Sequence, residues 1–123
     1  VASLVGDPCG FAWPLPRDSH LGAMVIVRRQ GFSNDQWVLE GINLLDLRYP
    51  AAGHFAADPS QRVRRIGCAV GPLWSIDHAL AELPRQAFDY VWLIDPPPFD
   101  PALTDGMQPV WRGRGSILYR IPE

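Results

Sequence analysis

The feature that most constrains the fold is an almost unbroken apolar segment with an acid at each end. Asp89 and Asp95 enclose the five residues Tyr-Val-Trp-Leu-Ile. A run of this length without alternation of polar and apolar residues is typical of a strand that is covered on both faces. Three prolines follow Asp95 directly and end the strand there. The segment therefore predicts a sheet with a buried central strand.

The residues before this strand predict the main helix, over residues 75–85. Ser75 suits the N-cap, because its hydroxyl can accept a backbone N–H that the helix leaves unpaired. Asp77 falls in the first turn, where the helix dipole favours a carboxylate. Apolar residues at 76, 79, 80 and 83 share one face. A helix that leads into a buried strand is half of a βαβ unit and indicates an α/β domain.

Several other segments predict strands, most of them short. The clearest is 23–27, Ala-Met-Val-Ile-Val, because β-branched residues favour strands. No helix-length crossover separates the segments between residues 25 and 47, so we expect antiparallel pairing there and a mixed sheet overall. The fold class is thus α/β: one layered domain with a mixed sheet of about five strands, one main helix and short helical turns. Strands are predicted at 1–5, 23–27, 36–39, 44–48, 62–70 and 116–121, a loop at 50–59 and a helical turn at 101–106.

Composition excludes several classes of protein. Of the 123 residues, 47% are hydrophobic and 20% are charged, the balance of one ordinary globular domain. The net charge of −2 argues against a nucleic-acid partner. No apolar run approaches the roughly 18 residues that a membrane span needs. All 11 basic residues are arginine, which is typical of a GC-rich bacterial genome. No motif implies a cofactor.

Acids and a cysteine follow the predicted strands. Asp7 follows the first strand and Asp95 the central one. Ligands of open α/β sheets bind beyond the carboxyl ends of parallel strands, so Asp7, Cys9 and Asp95 line one crevice if these strands are parallel neighbours. The alternative is that an Asp beside a proline serves only turn and cap chemistry. Cys9 and Cys68 are either buried thiols or a disulfide formed in an oxidising compartment.

The loop 111–115 carries the other candidate binding residues. It lacks the following helix that a phosphate-binding loop needs, so it predicts a β-turn before the last strand. Arg112 and Arg114 remain candidates for contact with an anionic headgroup or a sugar phosphate. Trp111 is a candidate for stacking on a sugar ring. His78 and Glu82 have the spacing of a metal pair, but no His-Glu-x-x-His pattern is present and no metal site is predicted.

Five segments spread over most of the chain together resemble a known class of proteins in their sequence and order. They are residues 1–5 with the proline-rich turn that follows, 29–34 with Trp37, 55–61, 88–95 and 111–121. The order resembles the soluble C-terminal region of bacterial multipass membrane proteins of envelope polysaccharide assembly. Many of these are called glycosyltransferases of the polyprenyl-phosphate-sugar type, and others are uncharacterised membrane proteins. The most distinctive part is Asp-Tyr-Val-Trp, followed after a loop by Leu-Tyr-Arg.

The resemblance implies a non-catalytic accessory domain on the extracytoplasmic, periplasmic side of the cell membrane. Residues 1–123 would be one soluble domain excised from the C-terminus of a larger protein, whose transmembrane part would be a partner. The catalytic carboxylates of such transferases lie between the first membrane helices, so no catalytic residue carries over. The domain would shape or bind a saccharide, a polyprenyl-phosphate headgroup or another acceptor. The alternatives are a protein-interaction module and a small free-standing hydrolase or transferase with acids at the strand ends.

Overall fold

The computed structural model describes residues 1–7, 18–37, 41, 48–65, 67–68 and 73–123. Within these residues the chain forms an α/β domain on one five-stranded mixed sheet, which confirms the predicted fold class. The strands lie in the order β2-β1-β3-β5-β4. Their bounds are β1 Ala2–Asp7, β2 Arg62–Arg64, β3 Tyr90–Ile94, β4 Gln108–Gly113 and β5 Ser116–Arg120. The helices are α1 Ala23–Arg29 and α2 Ile76–Ala81, with 3₁₀ turns at Pro50–Ala56, Arg85–Ala87 and Pro101–Thr104.

The sheet has a parallel half and an antiparallel half. Strand β1 pairs in parallel with β2 on one side and with β3 on the other. Strand β5 runs antiparallel to β3 and to β4. The β4–β5 hairpin turns at Arg114 and Gly115, whose φ values of 48° and 74° are both positive, as the type I′ turn favoured in hairpins requires. This is the turn that the loop 111–115 predicts.

Alternation along the strands gives the sheet two apolar faces. The first, called the packed face here, consists of Leu4, Val63, Val91, Leu93 and Tyr119, all buried. It is covered by Ile76 and Leu80 of α2 and by Phe55 of the first 3₁₀ turn. Leu83 and Phe88, from the chain between α2 and β3, belong to the same core. The second, called the half-open face, carries Tyr90, Trp92, Leu118 and Trp111, which are exposed or only half-buried. The main core therefore lies on one side of the sheet.

The predicted strand at 23–27 is wrong, because this segment is the helix α1. The carboxylate of Asp35 accepts a hydrogen bond from the backbone nitrogen of Ala23 at 2.7 Å and so satisfies a helix-start N–H from a distance. Gly22 lies against Ser3 of β1, where a Cβ atom would be 2.6 Å from the Ser3 hydroxyl. The segment therefore lies over the sheet, and these tertiary contacts outweigh the small helix penalty of its β-branched residues.

Asn34 fixes the same segment to the edge of β1. Strand β2 pairs with β1 only from Val5 onward. Ahead of that point, Asn34 Oδ1 accepts from the Ser3 nitrogen at 2.7 Å, and Asn34 Nδ2 donates to the Ser3 carbonyl at 3.0 Å. The buried amide thus replaces a strand neighbour for Ser3.

The main helix and the central strand are confirmed, with the helix shorter than predicted. Ser75 is the N-cap of α2 and its hydroxyl accepts from the His78 nitrogen at 3.2 Å. The chain then continues into the 3₁₀ turn Arg85–Ala87. Strand β4 was not predicted from the sequence, because Pro109 argues against a strand except at an edge, which is where β4 lies.

The remaining strand predictions are met only in part. Residues 36, 37 and 48 are not in strands, and the rest of the segments 36–39 and 44–48 lies outside the described residues. The predicted strand 62–70 is formed at Arg62–Arg64, and residues 66, 69 and 70 are outside the described part of the chain. The predicted loop 50–59 contains the 3₁₀ turn Pro50–Ala56. No helix in the described part of the chain has the length and apolar character of a membrane span.

Candidate functional site

The carboxyl edge of the parallel strands brings three predicted residues to one side of the sheet. Asp7 ends β1 and Asp95 follows β3, and these strands are parallel neighbours with Val5 opposite Ile94. The hairpin turn that contains Arg114 reaches the same edge, because the Asp95 nitrogen donates to the Gly115 carbonyl at 3.0 Å. Asp7, Asp95 and Arg114 therefore lie along one edge, as the strand-end hypothesis requires of the two acids.

Both acids are engaged by arginines of the adjacent segment. Arg62 Nη2 lies 2.8 Å from Asp7 Oδ2 in a largely buried ion pair. Arg65 pairs with the carboxylate of Asp95 and also donates to the Asp95 carbonyl at 3.1 Å. The Asp95 carbonyl rests against Gly6, where a Cβ atom would be only 2.1 Å away. The sequence analysis did not pair these arginines with the acids.

These contacts indicate a structural role for the carboxyl edge, in which ion pairs join neighbouring segments of the chain. Each carboxylate is neutralised by a guanidinium, and among the described residues neither has a histidine partner. No group of three or more His, Cys, Asp or Glu in the described part of the chain could hold a metal ion. Cys68 is disulfide-bonded and its nitrogen donates to the Arg65 carbonyl at 3.3 Å. The other cysteine of the sequence, Cys9, lies outside the described residues.

The second candidate region is a groove on the half-open face, between α1 and β4. Its volume is about 910 Å³. Trp92 and Leu118 form its floor as register partners on β3 and β5, and Trp111 of β4 continues the row. Val25 and Phe32 line it from the segment that lies over the sheet. We call this region the aromatic groove.

Two aromatic rings of the groove are presented to solvent. Trp111 is 48% exposed and Tyr90 is 39% exposed. Trp92 is half-buried, and its indole nitrogen is buried without a hydrogen-bond partner among the described residues. The groove thus contains an unsatisfied polar atom at its apolar floor. A buried donor that lacks an acceptor lowers the stability of a fold by about 1–3 kcal/mol.

Charged groups lie among the aromatic side chains. Arg29 of α1 and Asp89, immediately before β3, are both exposed residues that line the groove. The backbone nitrogen of Val1 lies there too and donates to the Phe32 carbonyl at 2.5 Å. The groove therefore combines ring faces with a charged donor and a charged acceptor.

The three candidates of the loop 111–115 lie in different places. Trp111 lines the aromatic groove. Arg112 pairs in register with Ile117, so it points to the opposite face of the sheet. Arg114 is in the hairpin turn at the carboxyl edge. Tyr90, Asp89 and Arg29 were not identified from the sequence. The period of two along a strand is the signal that could have placed Tyr90 on the same face as Trp92.

Two histidines pack against the ring of Trp74, outside both the carboxyl edge and the aromatic groove. The ring of His54 stacks on Trp74 with centroids 3.8 Å apart, and His78 meets Trp74 edge-on at 4.4 Å. This arrangement explains the His78 position by packing rather than by a metal ligand role.

Comparison with known proteins does not assign a family to this chain. No protein-family model matches it, and no curated protein or solved structure is significantly similar to it. The functional argument therefore depends on the geometry of the carboxyl edge and the aromatic groove.

Proposed function

We propose that this chain is a non-catalytic accessory domain of a glycosyltransferase-like membrane protein and that it binds a saccharide in the aromatic groove. The observation that carries the proposal is the presentation of Tyr90 and Trp111 along a groove with an apolar floor. The C–H faces of a pyranose ring are apolar and stack on exposed aromatic rings, which have a large apolar surface and a defined orientation.

The rigidity of the groove supports this function. Trp92, Leu118 and Trp111 are held in register across three hydrogen-bonded strands. Side chains on a sheet lose little further conformational freedom when a ligand binds, so the binding energy is not spent on ordering the site. The volume of about 910 Å³ is also within the range of small-molecule sites and would hold one or a few sugar units.

The polar groups of the groove suit the hydroxyls of a sugar. The guanidinium of Arg29 offers only donors and the carboxylate of Asp89 only acceptors. A sugar hydroxyl can donate and accept at once, so it can bridge such groups.

The distribution of carboxylates supports a binding role without catalysis. Hydrolysis of a glycoside generally requires two carboxyl groups that flank the scissile bond. Asp89 is the one carboxylate among the described residues that line the groove. Asp7 and Asp95 lie at the carboxyl edge, each in an ion pair with an arginine. The disulfide of Cys68 supports the extracytoplasmic side, because such bonds persist in oxidising compartments.

A titration of the folded domain with sugars tests this proposal. Glucose, galactose, N-acetylglucosamine and their β-linked dimers would be added while amide and indole N–H signals are followed by NMR. We expect shifts of the Trp92 and Trp111 indole signals with at least one sugar. Trp111→Ala should weaken that binding by about tenfold, which corresponds to ~1.4 kcal/mol.

Trp37→Ala is the matched control, because Trp37 is 65% exposed but does not line the groove. It should leave the affinity unchanged. If no sugar moves the groove signals, the saccharide proposal is wrong. If a protein partner moves them while sugars do not, the exposed rings belong to a protein-interaction module.

A further inference from the structure

The outward side of α1 is apolar, the reverse of the usual arrangement. Leu21, Met24 and Val27 are 36%, 45% and 78% exposed, whereas Val25 and Ile26 are half-buried. A surface helix normally turns polar residues to water and apolar ones to the core. Three large apolar side chains on the outside of α1 and the turn before it form an apolar surface of the kind that marks an interaction site.

These three side chains lie in a row. They recur at every third position, and residues three apart are neighbours on a helix surface. The Met24 nitrogen donates to the Leu21 carbonyl at 3.1 Å, so Leu21 belongs to the turn that leads directly into α1. We call Leu21, Met24 and Val27 the α1 ridge.

The ridge is fixed to the sheet rather than loosely attached. Asp35 accepts from the Ala23 nitrogen at the start of α1, and Gln30 closes its end by donating to the Ile26 carbonyl at 3.0 Å. Gly22 is in close contact with Ser3 and Ser33, where a Cβ atom would lie within 2.6 Å of either hydroxyl. The apolar side chains are thus held outward by buried contacts behind them.

The Val27 end of the ridge is cationic, whereas the exposed Asp18 lies at the other end, where its carbonyl accepts from the Leu21 nitrogen at 3.2 Å. Arg28 and Arg29 end α1 and are exposed. The sequence has no acid between Asp18 and Asp35, and the Asp35 carboxylate is buried against Ala23. A cationic, apolar surface on a chain of net charge −2 is complementary to an anionic surface that also accepts apolar side chains.

We propose that the α1 ridge docks this domain on an anionic lipid bilayer. Leu21, Met24 and Val27 enter the region between headgroups and acyl chains, and Arg28 and Arg29 lie at the level of the lipid phosphates. Interfacial helices bind membranes by this combination of buried apolar area and attraction to anionic lipids.

The ridge is adjacent to the aromatic groove. Val25 and Arg29 of α1 also line that groove, so docking through α1 places the groove next to the bilayer surface. A saccharide attached to a lipid phosphate would then reach the groove while its lipid stays in the membrane. This step rests on the proposed function, whereas the docking itself does not.

Vesicle co-sedimentation of the folded domain tests the docking. The vesicles would consist of phosphatidylcholine alone or of equal parts of phosphatidylcholine and phosphatidylglycerol. We expect binding to the anionic vesicles that falls as salt is added. Val27→Asp should weaken this binding by at least about tenfold, and Arg28→Gln by roughly fivefold, the effect of about 1 kcal/mol for one charge near the surface.

Trp37→Asp is the matched control, since Trp37 is 65% exposed and belongs neither to the ridge nor to the aromatic groove. It should lower vesicle binding far less than Val27→Asp does. Equal losses in the two variants, or equal binding to neutral and anionic vesicles, would overturn the proposal. Self-association of the domain that Val27→Asp abolishes, without vesicle binding, would assign the ridge to a second copy instead. Sugar titration in the absence of lipid separates failure of the docking from failure of the saccharide proposal.

Discussion

The two faces of the sheet are built from the same strands, yet only one is fully covered. On the packed face, Leu4, Val91 and Leu93 have no exposed surface. On the half-open face, Trp92 and Leu118, which alternate with them, are half-buried. The connection from β2 to β3 passes through α2, which covers the packed face. Apolar residues on both sides of a strand therefore do not guarantee cover on both sides.

The packed face contributes most to stability, whereas the half-open face presents the side chains proposed to bind a ligand. The packed face holds the main cluster of buried side chains, including Phe55, Ile76 and Leu80. The half-open face holds the exposed rings of Tyr90 and Trp111 and receives α1, a helix without a buried residue. Surface that is not needed for the core remains available for a ligand. Three sets of variants test this division, beginning with the largest expected effect.

A Leu→Ala substitution should lower the free energy of unfolding by different amounts on the two faces. Leu93→Ala removes a fully buried side chain and should lower the free energy of unfolding by about 3–4 kcal/mol. Leu118→Ala, on the half-open face, should lower it by only about 1 kcal/mol, because water can fill the space. Urea denaturation measures both. Equal losses would show that the half-open face contributes to stability as much as the packed face does.

The attachment of the covering segment to β1 should depend on the Asn34 amide. Asn34→Ala leaves the Ser3 N–H and carbonyl without partners at a buried site and should cost about 2–3 kcal/mol. Ser33→Ala is the control, because the buried Ser33 hydroxyl has no hydrogen-bond partner in the described part of the chain and its loss should cost little stability. Hydrogen exchange at the Ser3 amide should accelerate in the first variant and stay slow in the second. If both variants behave alike, Asn34 does not hold the segment.

The two ion pairs at the carboxyl edge should contribute least. Double-mutant cycles should give a coupling of about 1 kcal/mol for Asp7 and Arg62, whose side chains are 20% and 24% exposed. The Arg65–Asp95 pair is more exposed, with 65% for Asp95, and its coupling should be below about 0.5 kcal/mol and should vanish at high salt. A larger coupling for the more exposed pair would contradict the expectation that burial sets the strength of these ion pairs.

Local signals in the sequence were sufficient for some elements and misleading for others. The N-cap at Ser75, the apolar segment 90–94 and the turn at Gly115 each depend on nearby residues, and each is found in the structure. The helix α1 has the composition of a strand, and its start is capped by Asp35, twelve residues later. A contact over that distance in sequence is not encoded by local propensity.

The candidate site divides in the same way. The position of Asp7 and Asp95 at one edge followed from the strand ends, because carboxyl ends of parallel neighbours coincide. Their arginine partners did not follow, since Arg62 is 55 residues from Asp7. Trp111 was identified from the sequence as a candidate for stacking on a sugar ring. Its groove depends on Tyr90 and Trp92, on a different strand, and on Val25 of α1.

By itself, the sequence determined the class of fold, the central strand with the helix before it, and the acids at the strand ends. These features follow from hydrophobic periodicity, capping and turn chemistry, which act between residues close together in the chain. Only the tertiary structure decided which apolar residues remain exposed. Trp92 and Leu93 are adjacent and both apolar, but only the face of Leu93 is covered by α2. Exposure depends on which segment covers a face, and that is set by the path of the whole chain.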